Sequence, residues 1–399
     1  MSGRAGGRGR AGRGKRPARA RPSPEAVPSG VSARPGATPP ADLQAIRTHI
    51  DSIDAQIQTL LNERARFAQA VGVSKSASGK AVDFYRPERE AEVLRMALAR
   101  NAGPLRDEEI ARLFREIMSA CLAQQEPLKV AFLGPEGTFT QAAVYKHFGS
   151  SVRALPLPAI DEVFHEVEGG IADFGVVPIE NSTEGTVNHT LDMFLTSSLK
   201  ICGEVELRVS HHLMGRMASS AEAQRICAHA QALAQCRGWL DQNLPEVERI
   251  AVSSNAEGAR RARDERGTAA IASRAAAEIY SLTLLASEIE DRADNTTRFL
   301  VVGRKLFSRS GADRTTLLVS TPDTDDPGAL FRLLEPLAKH RINMTRIESR
   351  PSHKRKWDYV FFIDVEGHVS DAPLAKALAL LEKRTSLFKV LGSYPRAVL

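Results

Sequence analysis

From Leu43 onward the apolar positions fall mostly at steps of three and four: Leu43, Ile46, Ile50, Ile53, Ile57, Leu60, Phe67 and Val71. That spacing predicts one amphipathic helix from Asp42 to about Lys75, roughly 50 Å long at ~1.5 Å per residue. A helix of that length cannot bury its stripe alone. YRPEREAEVLRMALA predicts a second helix with Pro87 in its first turn. LRDEEIARLFREIMSACLAQQ predicts a third, with Asp107 as N-cap and two glutamates behind it. At Pro127 the period changes. Short apolar runs (LKVAFLG, VRALPL, FGVVPIEN, KICGEVELRVSHHLM, RIAVSS, TAAIAS) alternate with helical ones such as CAHAQALAQCRGWLDQN and NAEGARRARDER. This predicts two α/β lobes with a cleft between them, the topology of a two-lobed solute-binding protein. Beyond residue 312, RTTLLVS, PGALFRLLEPLAKHR, INMTRIESRP, DYVFFIDVEGH, PLAKALALLEKR and FKVLGSYP read as β-α-β-β-α-β, a ferredoxin-like α+β order. The expected chain is multidomain: a tail at 1–40, an all-α region at 41–126, a two-lobed α/β domain at 127–306 and a small α+β module at 312–399.

Composition alters this picture in one place. The formal net charge is +6, but residues 1–40 hold eight Arg, one Lys and a single Glu, so the remainder is close to neutral. A Gly/Arg/Ala/Pro tail has almost nothing to bury and is expected to be disordered. It has no interleaved aromatic residue, so it reads as an extension and not as a nucleic-acid stacking platform. No apolar run approaches the ~18 residues that span a membrane, and no apolar core follows the basic start as in a secretory signal. The four cysteines, Cys121, Cys202, Cys227 and Cys236, form no CxxC pair, and no histidine cluster has zinc spacing. A cytoplasmic enzyme without metal or cofactor is the expectation.

The chemistry is expected around Ile171–Asp192, IADFGVVPIENSTEGTVNHTLD. A buried strand ends in the polar run Glu180, Asn181, Ser182, Thr183 and Glu184. Gly185 then breaks the path and a helix begins. A strand, a polar turn and a helix start together form the crevice in which open α/β sheets hold ligands, and the free N–H groups suit an anion. GPEGTFT is a second strand-to-helix loop of this kind, without the GK[ST] of a P-loop. In DNTTRFLVVG, the residues Thr296, Thr297 and Arg298 precede an apolar strand. His211 and His212 follow a strand and read as strand-end or core histidines in preference to a metal site or a base. In the helical region Arg47 and Arg64 lie about 25 Å apart along one straight helix. One small ligand reaches both only if they come from two chains of an intertwined dimer.

LQAIRTHIDSIDAQIQTLLNERARFAQAVGVSK followed by YRPERE resembles the all-helical chorismate mutase family, whose members rearrange chorismate to prephenate. The resemblance implies that Arg47, from the partner chain, and Arg64 bind carboxylates through guanidinium forks. It implies that Lys75 faces the ether oxygen, with Gln125 opposite. Glu90 then accepts from the substrate hydroxyl, and Arg89 borders the pocket. Cys121 stands where a serine is usual, and Arg86 where an acidic residue can occur.

GPEGTFT, GVVPIENSTEGTVNHTLD and NTTRF, in that order, resemble prephenate dehydratase. That family removes the ring hydroxyl and the quaternary carboxylate of prephenate together, giving phenylpyruvate, water and carbon dioxide. The resemblance makes Thr297 the donor to the leaving hydroxyl. Glu180 is a candidate acid if burial raises its pKa. Asn181, Ser182 and Thr183 line the pocket, as does Gln235 in AHAQALAQC, a segment without the serine and prolines usual there. Arg298 holds a carboxylate or braces the loop. Gly328, Ala329 and Leu330 (GAL) and Glu348, Ser349, Arg350 and Pro351 (ESRP) resemble the ACT module, which binds phenylalanine at a dimer interface. The whole reading is a bifunctional enzyme of phenylalanine synthesis acting on chorismate and prephenate, inhibited by L-phenylalanine, and forming a homodimer or tetramer. Two alternatives stay open: arogenate as the substrate, and a ligand sensor with a vestigial mutase region.

Overall fold

The computed structural model describes residues 43–76, 85–322, 327–352 and 358–398. The chain divides into two compact units, Met1–Gln58 and Thr59–Leu399. The basic tail lies outside the described residues, and so does the side chain of Lys75. What is described of the first unit is the start of helix α1 (Leu43–Ser76). The predicted stripe is present on α1 but faces solvent: Leu43, Ile50, Ile53, Ile57, Leu60, Phe67 and Val71 are all exposed.

Helix α2 (Pro87–Arg100) opens on Pro87 and buries Ala91, Leu94 and Ala97. Helix α3 (Asp107–Ala123) buries Ala111, Ser119 and Cys121. Its N-cap is Arg106, one residue earlier than expected. Glu109 accepts the Arg106 backbone N–H at 3.1 Å, so the acidic first turn itself ties the helix start. Glu90, on the buried side of α2, lines a small cavity with Tyr85, Arg115, His147 and Glu206. Its side chain is 16% exposed, 3.9 Å from the Arg115 guanidinium. Burial pushes the Glu90 carboxyl up to about 7, against the opposing pull of Arg115 and of a hydrogen bond from Tyr85. Burial likewise lowers the pKa of neighbouring His147 to about 3, so that imidazole is neutral.

The α/β domain folds as two sheets. The first lobe comprises β1 (Lys129–Leu133), α4 (Phe139–Phe148), β2 (Arg153–Leu157), α5 (Ile160–Glu168), β3 (Phe174–Asn181), β4 (Gly185–Thr186), α6 (Asn188–Thr196) and β5 (Lys200–Arg208). The chain then crosses to the second lobe: β6 (His212–Gly215), β7 (Arg225–His229), α7 (Ala230–Gln235), α8 (Arg237–Asn243), β8 (Glu248–Val252), α9 (Asn255–Asp264), β9 (Thr268–Ala272), α10 (Arg274–Ile279) and β10 (Thr283–Ala286). It returns to the first sheet as β11 (Thr296–Gly303). The first sheet runs β2-β1-β3-β11-β5 with β4 beside β3, and the second runs β10-β6-β9-β7-β8. KICGEVELRVSHHLM is therefore not one strand but two, in different sheets, and RICAH before AQALAQ is a strand. An apolar run carries no mark of which sheet it joins.

The C-terminal module is β12 (Asp313–Ser320), α11 (Ala329–Lys339), β13 (Met344–Pro351), β14 (Tyr359–Glu366), α12 (Ala372–Glu382) and β15 (Leu387–Pro395), with strand order β13-β14-β12-β15. This is the expected ferredoxin-like topology. Alternation sends Leu317, Val319, Ile363 and Val365 toward α11 and α12. Leu318, Val360, Phe362, Leu391 and Tyr394 go the other way, into one core with Leu191, Phe194, Ile201 and Leu300 of the α/β domain. At Gly392 a Cβ would lie 2.1 Å from the Ile201 carbonyl oxygen, so only glycine allows the strands to approach this closely.

A buried ion cluster lies in the same junction. Arg298 on β11 reaches Glu204 at 2.9 Å, Asp364 at 2.7 Å and the Tyr394 hydroxyl at 3.1 Å. Arg314 also pairs with Glu204, and Thr316 donates to Asp364 at 2.6 Å. Burial opposes the Arg298 charge, but Tyr394, Asp364 and Glu204 more than offset it, and its pKa rises. Removing one member of such a cluster strands the others in low dielectric. Arg298→Met is expected to lower the unfolding free energy by about 3 kcal/mol or more, read from the denaturant midpoint. The raised Glu90 carboxyl makes stability depend on pH. The fold keeps a proton that the unfolded chain releases, so stability is full below the unfolded pKa and falls as pH rises toward about 7. Glu90→Gln is expected to flatten that decline, worth of the order of 2 kcal/mol, in unfolding curves taken at pH values on either side of the window.

Candidate active site

The two chain crossings between the lobes run side by side, with Val209 N–H donating to the Asn295 carbonyl at 2.8 Å and Ile289 N–H to the His211 carbonyl at 2.9 Å. Between the lobes opens a cavity of about 330 Å³. The first lobe lines it with Gly137–Thr140, Asn181, Thr297 and Phe299, and the second with Gln235, Ser254, Asn255 and Ser273. Across the cleft the Ser273 hydroxyl donates to the Gly137 carbonyl at 2.9 Å, and Tyr280 OH donates to Glu136 O at 3.1 Å. Two ten-residue helices, α4 and α9, begin at this cavity, one from each lobe. Their caps are the Thr138 and Ser254 hydroxyls.

Asn181 fixes the orientation of everything near Thr297. Its Oδ1 accepts the backbone N–H groups of Thr183 at 2.9 Å and Glu184 at 3.1 Å. A carbonyl oxygen is thereby required at that position, so Nδ2 is the donor. Nδ2 donates to Thr297 Oγ1 at 2.8 Å and Asn295 Oδ1 at 2.9 Å. Thr297 Oγ1 is thus an acceptor toward Asn181, and its own proton is left to point at the cavity. Asn295 passes the pattern on, donating through Nδ2 to Gln235 Oε1 at 2.9 Å. Asn295, 2% exposed, escaped the sequence reading. It stands in the DNTTRF run, but nothing in one sequence separates it from an ordinary turn asparagine.

Asn181, Thr297 and Gln235 are brought together. Glu180, Ser182, Thr183 and Arg298 are not on the cavity wall. Glu180 alternates with Asn181 along β3 and so faces away, where Arg346 pairs with it at 3.0 Å. By the same alternation Arg298 leaves the cleft for its buried cluster: its carboxylate partners are the protein's own. Ser182 Oγ accepts the Thr296 N–H at 3.0 Å. Ser182 and Thr183 belong to the turn that shapes the site.

In the helical region Gln125 Nε2 donates to the Ala68 carbonyl of α1 at 2.8 Å. Cys121 is buried and Arg64 half-buried on the same helices. Glu90 is turned to the α/β domain, in a cavity whose walls include none of Arg64, Cys121 or Gln125. Arg89 pairs with Glu92 at the surface. Arg47 is an exposed residue of the first unit.

On the C-terminal module Gly328 caps α11 with φ +79°, so Ala329 and Leu330 form the first turn. The ESRP residues divide between the two faces of β13. Glu348 accepts from Thr186 Oγ1 at 2.9 Å, and Arg350 holds Asp192 through two contacts of 2.7 Å, both toward the α/β domain. Ser349 and Pro351 alternate with them and are exposed.

Comparison with known proteins agrees with this architecture. The family model for chorismate mutase type II matches residues 46–126, that for prephenate dehydratase residues 130–306, and that for the ACT domain residues 315–380. The chain is 54% identical over 361 residues to the bifunctional chorismate mutase/prephenate dehydratase of Pseudomonas aeruginosa, covering 90% of this chain and 98% of that one. The solved prephenate dehydratase of Arthrobacter aurescens in complex with L-Phe is 37% identical, with a TM-score of 0.64 over 68% of this chain and 90% of that one. A quorum-quenching acylase, GqqA, is also similar, at 32% identity and a TM-score of 0.62 over 67% of this chain and 98% of that one. The two-lobed scaffold alone therefore does not fix a chemistry. It is the presence of all three regions in order, along nearly the whole length of the Pseudomonas relative, that places this chain in the bifunctional chorismate mutase/prephenate dehydratase family.

Proposed function

We propose that the helical region rearranges chorismate to prephenate, and that the cleft beside Thr297 turns prephenate into phenylpyruvate, carbon dioxide and water under inhibition by phenylalanine. The observation that carries the dehydratase reading is the Thr297 hydroxyl, held as an acceptor by Asn181 with its proton free to meet a departing oxygen. A hydroxyl is too weak an acid to complete the transfer, so its part is to polarise and orient the leaving group. Aromatisation supplies the driving force. Among the described residues no lysine or arginine lines the cavity. The substrate carboxylates therefore fall to the helix starts of α4 and α9, whose free N–H groups suit anions. The activity of the Pseudomonas aeruginosa relative favours prephenate over arogenate.

For the mutase half, the exposed stripe of α1 supports a second copy of the chain as its cover. Arg47 from one copy would then join Arg64, Lys75 and Gln125 of the other to clamp two carboxylates and the ether oxygen. For regulation, Gly328 at the α11 start offers backbone donors to an amino-acid carboxylate, and Ser349 lies on the helix-facing side of the same sheet. Glu348 and Arg350 tie β13 to Thr186 and Asp192, just beyond the Asn181 turn. An effector that shifts β13 moves that turn.

Thr297→Val preserves shape and removes the donor. Dehydratase kcat is expected to fall by at least about 10²-fold while the mutase rate is unchanged, and survival of both activities would refute the site. Addition of millimolar phenylalanine is expected to slow the wild-type dehydratase in a direct assay of phenylpyruvate. A rate unaffected by it would remove the regulatory reading.

A further inference from the structure

Departure of the ring hydroxyl together with the carboxylate leaves a hydroxide unless an acid meets it. Glu180, the acid the sequence suggested, is turned to Arg346 on the far face of β3. Among the described residues on the cavity wall, the ionisable side chains are His211 and His229. His229 is exposed, and its Nδ1 accepts the Gln231 N–H at 3.3 Å as the cap of α7. His211 is 2% exposed, on the first crossing between the lobes.

Resting on the dehydratase reading of this cleft, we propose that His211 delivers the proton that converts the departing hydroxyl of prephenate into water. The hydrogen-bond chain assigns its ring nitrogens. Two backbone N–H groups fix Asn181, Asn181 fixes Asn295, and Asn295 donates to Gln235 Oε1. That oxygen can only accept, so the contact of 2.9 Å from His211 Nε2 is an Nε2–H donation. Nδ1 is then the open nitrogen. It is buried and has no hydrogen-bond partner among the described residues. The ring stands edge-on to Phe139, in the first turn of α4, with centroids 5.6 Å apart. His211 and Thr297 are thus the two ends of one chain of hydrogen bonds, and both line the cavity.

The charged and titratable groups around His211 are few. Glu290 accepts its backbone N–H at 2.8 Å, and His212 follows it, with Arg274 acting on His212. Burial holds the imidazole below its ordinary pKa, and the Gln235 contact opposes that shift. A bound dianion favours the imidazolium, so the proton arrives with substrate at Nδ1 while Nε2–H stays on Gln235. In the step itself the bond from the quaternary ring carbon to its carboxylate breaks, and that pair enters the ring. The ring carbon–oxygen bond breaks with its pair on oxygen, and the oxygen takes the Nδ1 proton. The dianion and imidazolium become carbon dioxide, water, the phenylpyruvate anion and neutral His211.

The test is the pH profile of the full-length wild type and of His211→Asn, with prephenate as substrate and the mutase rate as the folding control. Expected are a loss of dehydratase kcat of about 10²-fold or more, an unchanged mutase rate, and a wild-type alkaline limb in kcat/KM that the variant lacks. A variant within about threefold of wild type, or one that is slow but keeps the limb as a structural role would allow, overturns the proposal. Should the variant lose the mutase rate as well, the wild-type profile decides: one that is flat over roughly pH 5 to 9, the span of imidazole titration, overturns it. A wild type that forms no phenylpyruvate refutes the reading of the cleft and this proposal together, whereas an active wild type beside an equally active variant removes this proposal alone.

Discussion

The period-two alternation of two neighbouring strands is the constraint on which this molecule turns. Asn181 and Thr297 are paired across β3 and β11, and so are Glu180 and Arg298. Because adjacent residues of a strand point to opposite faces, the first pair must face the cleft and the second must face the C-terminal module. One face therefore lines the cleft and the other the domain junction, with neither pair able to serve both. A slip of one residue in this register would exchange the faces, placing an arginine in the cleft and a threonine among buried carboxylates. The buried cluster of Arg298, Glu204, Asp364 and Arg314 resists such a slip, since a misaligned strand would leave those charges desolvated and unpaired.

The same arrangement explains how a regulatory module can address a site it does not touch. The junction is both apolar, through Phe362, Leu391 and Tyr394, and ionic, through Arg298. Arg346 and Glu348 reach Glu180 and Thr186, which flank the turn whose N–H groups orient Asn181. The connection from module to cleft is made of short, packed contacts across two strands and one turn.

The helical region obeys a different economy. Among the described residues its longest helix carries an exposed apolar stripe, while the two shorter helices bury small residues such as Ala91, Ala97 and Ala111. A solvated apolar stripe of that length on α1 is unfavourable in water. The mutase residues named from the sequence are dispersed here, with Gln125 against α1 and Glu90 against the α/β domain.

The sequence by itself determined the element types and their order: the helical period before Pro127, the alternation after it, and the β-α-β-β-α-β ending. It also marked the polar run after the FGVVPI strand as a place where a cleft opens, because turn residues and buried strands leave local marks. Asn181 was legible in this way, whereas Thr297 and Gln235 were named through the family resemblance; all three line the cavity. Only the tertiary structure decided which neighbours of those residues belong to the cleft. Glu180 and Arg298 share the polar stretches of Asn181 and Thr297, and the face each one takes follows from strand pairing over more than a hundred positions. Asn295 and the open nitrogen of His211 became visible only when the two crossings came together, since a hydrogen-bond chain that passes from lobe to lobe has no signature along the chain.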